Sequence, residues 1–124
     1  QICLIYSMIS EMTKKALNSL KHSKKTEELY ERITTPGLLG EVQPAEAMCD
    51  LVENEYIKRL LRNASDSYIR FALSTGRHKE EIKEERNKLT ELLKNGELKK
   101  AEKALDAYFK LLAKAVNEER GMNE

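Results

Sequence analysis

Tryptophan is absent from the 124 residues, and proline and glycine number only two and five. So little turn material excludes an all-β fold, which needs a turn every few residues. Cysteine is nearly absent too. Cys3 and Cys49 are the only ones, and neither belongs to a Cys-x-x-Cys pair, which excludes a disulfide scaffold and a thiolate zinc site. Both sit among apolar neighbours and read as buried thiols in a reducing cytosol. No charge of one sign prevails, since 22 Lys and Arg face 21 Asp and Glu, for a formal net charge of +1. A nucleic-acid surface needs a basic excess, because phosphate neutralisation supplies most of its affinity. Nucleic-acid contact by this chain itself is therefore not expected. The nearest approach, Lys14, Lys15, Lys21, Lys24 and Lys25, reads as solvated surface and connection. A bilayer-length apolar run is also missing. Ile2 to Ile9 is too short to span, and it lacks the basic start and cleavage site of a signal peptide. The expected setting is cytoplasmic, without membrane contact.

Hydrophobic residues make up 40% of the chain and charged residues 35%. That mixture suits helices with one apolar and one charged face. The length suits a single domain, 1–124, with a real core. The periodicity predicts an all-α fold, an antiparallel bundle of about six helices. Helix one covers about Ile2 to Leu20, with Ile2, Ile5, Ile9, Met12 and Ala16 inward. Thr26 caps a short second helix carrying Leu29, Tyr30 and Ile33. Thr34 to Gly40 is a loop, and a third helix begins near Pro44. Asn54 caps a fourth, whose stripe is Ile57, Leu60, Leu61, Ala64, Tyr68, Phe71 and Ala72. Gly76 ends it in a left-handed cap. The last two helices form a hairpin broken at Asn95-Gly96. One carries Ile82, Leu89, Leu92 and Leu93. The other runs from Glu97 to about Asn117 with Leu98, Ala101, Leu105, Tyr108, Leu112 and Ala115 inward, and a frayed tail follows from Glu118.

Polar residues inside apolar stripes are the sharpest functional signal. Arg86 falls between Ile82 and Leu89 on an inward stripe. A buried guanidinium needs an anion, and Arg recognises carboxylates and phosphates bidentately. The alternative puts its stem at the stripe's edge and its head in water or against a Glu. Tyr108 sits on the facing stripe, where its hydroxyl needs a partner whether it lines a pocket or only the core. Metal ligation is not expected. His22 and His78 have no second His or Cys at ligand spacing, and the Glu-x-x-His pattern of di-iron bundles is absent. Glu80, Glu81, Glu84 and Glu85 read as a solvated helix face. No Gly-rich phosphate loop or nucleophile motif appears. Asn63-Ala64-Ser65 matches a glycosylation sequon but falls within a helix.

The stretch Glu85-Arg86-Asn87-Lys88-Leu89-Thr90-Glu91-Leu92-Leu93-Lys94-Asn95-Gly96-Glu97, continuing through Ala101, Leu105, Tyr108 and Phe109, resembles the C-terminal effector domain of GntR-type transcription regulators of the FadR subfamily. Glu53 to Leu61 looks like that family's Gly-Asn and following helix. The resemblance covers about two thirds of the chain and implies six or seven helices. Many members bind a divalent metal through an Asp and three His. Two of those His positions fall here on Arg86 and Tyr108, and the earlier Asp and His fall near Glu41 and Ala45. The resemblance therefore implies a metal-free pocket in which Arg86 replaces the metal's charge and Tyr108 donates a hydrogen bond. The family's winged helix-turn-helix has no room before helix one in these residues.

The expected function is thus effector binding and homodimerisation in a transcription regulator, with a small anionic metabolite as ligand and no cofactor. A helical protein-interaction module without a ligand is the alternative. A small enzyme is disfavoured, because no acid, base and nucleophile come together. If Arg86 holds the anion, Arg86→Leu abolishes ligand-induced thermal stabilisation in a melting assay.

Overall fold

A computed structural model describes residues 2–23 and 54–121. The expected second helix, the loop Thr34 to Gly40, the helix from Pro44, and Glu41, Ala45 and Cys49 lie outside the described residues. Among those described there are four helices and no strand. Helix α1 is Ile2–Ser23. Helix α2 is one rod in three parts: Glu55–Ala64, a π-helical stretch Ser65–Ile69, and Arg70–Ser74. Helix α3 is Lys79–Lys94 and α4 is Leu98–Gly121. The fold is all-α as expected, and the four described helices correspond to the first, fourth, fifth and sixth of those expected.

Each helix runs antiparallel to the one before it. Tyr6 stacks edge-on against Tyr68 at 5.9 Å between ring centres, while Ala16 packs on Leu61 further along. That opposes α1 to α2. His78 at the start of α3 meets Glu118 near the end of α4, which closes the hairpin. Ser10 reaches Asp106 on α4, and Tyr6 and Ser7 face Asn117 and Gly121. So α4 also opposes α1.

Helix α4 is the mast of the bundle. Ala101, Ala104, Leu105, Tyr108, Phe109, Leu112, Ala113, Ala115 and Val116 are all buried. At about 100° per residue they cover far more than one stripe. Four alanines keep the side chains short where neighbouring helices approach. The stripe contains every inward residue foreseen for this helix except Leu98, which is half-buried against the core. Its end differs from expectation: α4 continues to Gly121, and Glu118 and Glu119 are held by side chains from the preceding loop and the start of α3.

Two other phases are corrected by the structure. On α1 the buried set is Tyr6, Ile9, Ser10, Thr13, Ala16 and Leu17, whereas Met8 is exposed and Ile5 and Met12 are half-buried. Ser10 and Thr13 are tolerated inside because each is bonded, Thr13 donating to the Ile9 carbonyl at 2.7 Å. On α2, Leu61, Ile69 and Ala72 are buried, while Ile57, Leu60 and Phe71 are exposed. The π-helical stretch accounts for Phe71 but not for Ile57 and Leu60, which precede it. Its wider turn carries the inward stripe from Ala64 to Ile69, a step of five, and rotates Phe71 outward.

The caps match the sequence. The Ile57 amide donates to the Asn54 side chain at 3.1 Å, as an N-cap requires. Gly76 and Gly96 have φ of +70° and +72°. At the hairpin the Gly96 amide donates to the Leu93 carbonyl at 3.2 Å and the Glu97 amide to Leu92 at 3.0 Å. This is a Schellman closure, and only Gly takes its left-handed position without penalty. No atom lies within 4 Å of a Cβ added at Gly96, so the cost there is conformational alone. Gly96→Ala is expected to destabilise the protein by about 1 kcal/mol with an unchanged helical spectrum, measured by urea unfolding.

Candidate functional site

A groove of about 870 Å³ lies between the first half of α1 and the second half of α4. Tyr6, Phe109 and Ala113 form its apolar floor, Ser7 and Ser10 one wall, and Lys110, Lys114 and Asn117 the other. Arg77 and Glu118 stand at one end and Asp106 toward the other. The volume falls within the ~300–1,000 Å³ of small-molecule sites.

Helical spacing builds this wall. Asp106, Lys110 and Lys114 recur every four residues on α4, and Ala113 and Gly121 leave room beside them. At the Asp106 end, Ser10 Oγ donates to Asp106 Oδ1 at 2.7 Å. Lys14 Nζ bridges Asp106 Oδ2 at 3.1 Å and Glu11 at 2.7 Å. Burial favours protonating the Asp106 carboxyl, but the Ser10 and Lys14 bonds outweigh it and hold its pKa below the ordinary value. The Glu11 and Asp106 bonds raise that of Lys14. On the floor, the Tyr6 hydroxyl donates to the Tyr68 carbonyl at 2.6 Å. Burial, and then Tyr68, push the Tyr6 phenol up to about 12, so it stays a neutral donor. Lys110 and Lys114 make no ion pair within 4 Å among the described residues.

At the other end, Arg77 Nε donates to Glu119 Oε2 at 2.7 Å. His78 places Nδ1 3.1 Å from Glu81 Oε1 and Nε2 against Glu118 Oε2. The Glu81 bond, and then the Glu118 bond, raise the imidazole pKa. His78 is also the sole described non-glycine residue with positive φ, at 53°.

Arg86 and Tyr108 both face inward, as their stripes foretold, at 7% and 2% exposure. Tyr108 packs edge-on against Phe109 at 5.3 Å. Neither residue is among those lining the groove. On α4, Tyr108 lies roughly opposite the Asp106–Lys110 wall, by about 100° per residue. The structure thus places the two expected ligand residues in the hairpin interior, on a different face from the groove. The groove residues were missed because their signal is weak: Asp106, Lys110 and Lys114 look like ordinary solvated charges. His78 three residues before Glu81, at a helix start, was the legible clue.

Among the described residues no group of three or more His, Cys, Asp or Glu is placed to hold a metal ion. Nor is any described helix long and apolar enough to cross a membrane. No family model, curated protein or solved structure matches the chain.

Asp106 joins α1 to α4, so Asp106→Ala should cost about 1–2 kcal/mol near neutral pH, leaving the buried Ser10 hydroxyl unpaired. Because the folded carboxyl pKa is depressed, its charge stabilises the fold above about pH 4 and the benefit is lost as pH falls through the folded value. Urea unfolding of wild type and Asp106→Asn should therefore converge on acidification. A gap independent of pH would show that the charge contributes nothing.

Proposed function

We propose that this domain is a non-catalytic sensor that binds a small amphipathic anion in the α1–α4 groove. This is the task of the GntR-type effector domain that residues 85–109 resemble, with the ligand seated in the groove instead of beside Arg86. The observation that carries the reading is an apolar floor flanked by Lys110 and Lys114. The groove's carboxylates are already engaged, Asp106 by Ser10 and Lys14 and Glu118 by His78. Lys110 and Lys114 make no ion pair within 4 Å among the described residues, although Lys110 acts on Asp106 from further off, and their amines can meet a ligand's head group. From Phe109 to Asn117 the helix rises about 12 Å, the length of a medium-chain carboxylate. Because α1 and α4 both line the groove, a ligand bridging them favours one helix arrangement, which is how a sensor transmits binding.

Homodimerisation belongs to the same proposal. Tyr56, at 75% exposure, with Ile57 and Leu60, forms an apolar surface on α2. The same surface favours the second reading, a protein-interaction module without a ligand. Light scattering of Tyr56→Glu alongside the wild type tests the dimer, which is expected to dissociate in the variant.

Octanoate is the probe for the groove. At about ten times its dissociation constant it should stabilise the fold by about 1.4 kcal/mol, a rise of about 5 °C in melting temperature. The Lys110→Gln/Lys114→Gln double variant should lose that rise, while Arg86→Leu keeps it. Loss in Arg86→Leu alone would return the site to the hairpin interior. No rise in any protein would favour the interaction module.

A further inference from the structure

We propose that His78 is a proton-operated latch that pins the last turns of α4 to the start of α3 and so holds the end of the groove in place. The effect on ligand binding rests on the groove reading above; the latch itself does not.

The geometry of the ring makes the case. Glu81 Oε1 lies 3.1 Å from Nδ1, and Glu118 Oε2 lies against Nε2. Both carboxylates are acceptors only. A neutral imidazole has one N–H and satisfies one of them, leaving a lone pair facing an anion at the other. The imidazolium donates to both. The two contacts therefore need the proton. They also join different elements, Glu81 from α3 and Glu118 from α4. A second bridge runs alongside, from Arg77 to Glu119 at 2.7 Å.

The backbone adds an independent observation. His78 holds φ 53° and ψ 29° at the N-cap of α3 without a side-chain cap bond. Left-handed backbone is costly for a residue with a Cβ and persists where surrounding contacts impose it. Here the ring is held by two carboxylates and the His78 carbonyl accepts from the Ile82 amide at 2.8 Å. Deprotonation removes one of the carboxylate contacts and leaves the strained backbone less well held.

Other charged side chains stand on the same elements. On α3 they are Lys79, Glu80 and Glu81; on α4, Lys114, Glu118 and Glu119; in the loop, Arg77. The last part of α2, Arg70–Ser74, carries only Arg70. From α1 the groove receives Tyr6, Ser7 and Ser10, and the Tyr6 phenol is protonated throughout. His78 is the residue at this end whose side-chain type ordinarily changes charge near neutrality. With the ring protonated, Glu118 is paired and Arg77 and Glu118 fix the groove's end. As pH rises through the elevated folded pKa, the bridge to Glu118 is lost and an unpaired carboxylate faces the groove. Both effects weaken the binding of an anion, and by linkage the bound anion raises the affinity of His78 for its proton.

Amide hydrogen exchange of the full chain between about pH 6 and pH 9 tests the latch without any ligand. After correction for intrinsic base catalysis, protection of residues 114–121 should fall at least tenfold in the wild type as His78 deprotonates. His78→Asn, neutral and tolerant of left-handed backbone, should show low protection at every pH. Glu118→Gln, which leaves residue 78 intact, should lose most of the step. Amides near Leu105 report whether each variant is folded. Octanoate titrations over the same range should show affinity falling several-fold with rising pH in the wild type and staying flat in His78→Asn. Superimposable exchange profiles for wild type and His78→Asn would overturn the latch, even if octanoate binds. An exchange step with pH-independent octanoate affinity would overturn its control of the groove. Absence of octanoate binding at every pH would reject the groove, and the exchange data alone would then decide the latch.

Discussion

The burial of α4 over about half of its circumference is the constraint on which the other elements depend. Its apolar positions come in an order that suits three neighbours at once. Leu105, Leu112 and Val116 follow the central line, Tyr108 and Ala115 turn to one side, and Phe109 and Ala113 to the other. Alanines at 101, 104, 113 and 115 remove bulk where backbones come near, so α1, α2 and α3 all pack on a single rod. A helix hydrophobic so far round is unstable alone and is stable only when covered. The remaining helices are held in position by covering it.

The groove follows from the same packing. Side chains on the Asp106 to Gly121 line are too short or too polar to fill the gap between α1 and α4. Asp106 then serves as a spacer and a tie, bonding Ser10 and Lys14 across the interface. At the other end Arg77 and His78 tie the chain before and at the start of α3 to Glu118 and Glu119. The floor between these ties is aromatic and apolar, and its neighbouring wall is cationic. Under the proposed function, the floor would bury a ligand's chain and the wall would select its head group.

Much of the fold could be read from the residues. Asn54, Gly76 and Gly96 announced their caps, because a side-chain acceptor at an N-terminus and a left-handed glycine at a C-terminus are local requirements. The stripes of α3 and α4 were legible, including the inward positions of Arg86 and Tyr108. The phase of α1 was not, because Tyr6, Ser10 and Thr13 are polar by type and are buried only because partners 62 and 96 residues away, or a carbonyl on their own helix, satisfy them. On α2 the expected Leu61, Tyr68 and Ala72 do face the core, whereas Ile57, Leu60 and Phe71 do not, Phe71 because a π-helical turn shifts the period by one residue and no residue type marks it.

By itself the sequence determined the all-α class, the caps, the hairpin at Asn95-Gly96 and the apolar face of the helix that bears the bundle. Those features depend on spacing and on residues within a few positions of one another. The tertiary structure alone decided which charges mattered. Asp106, Lys110, Lys114, His78 and Glu118 look alike in a chain that is one-third charged. They differ only through what another helix places opposite them, and that is a property of packing, not of spacing.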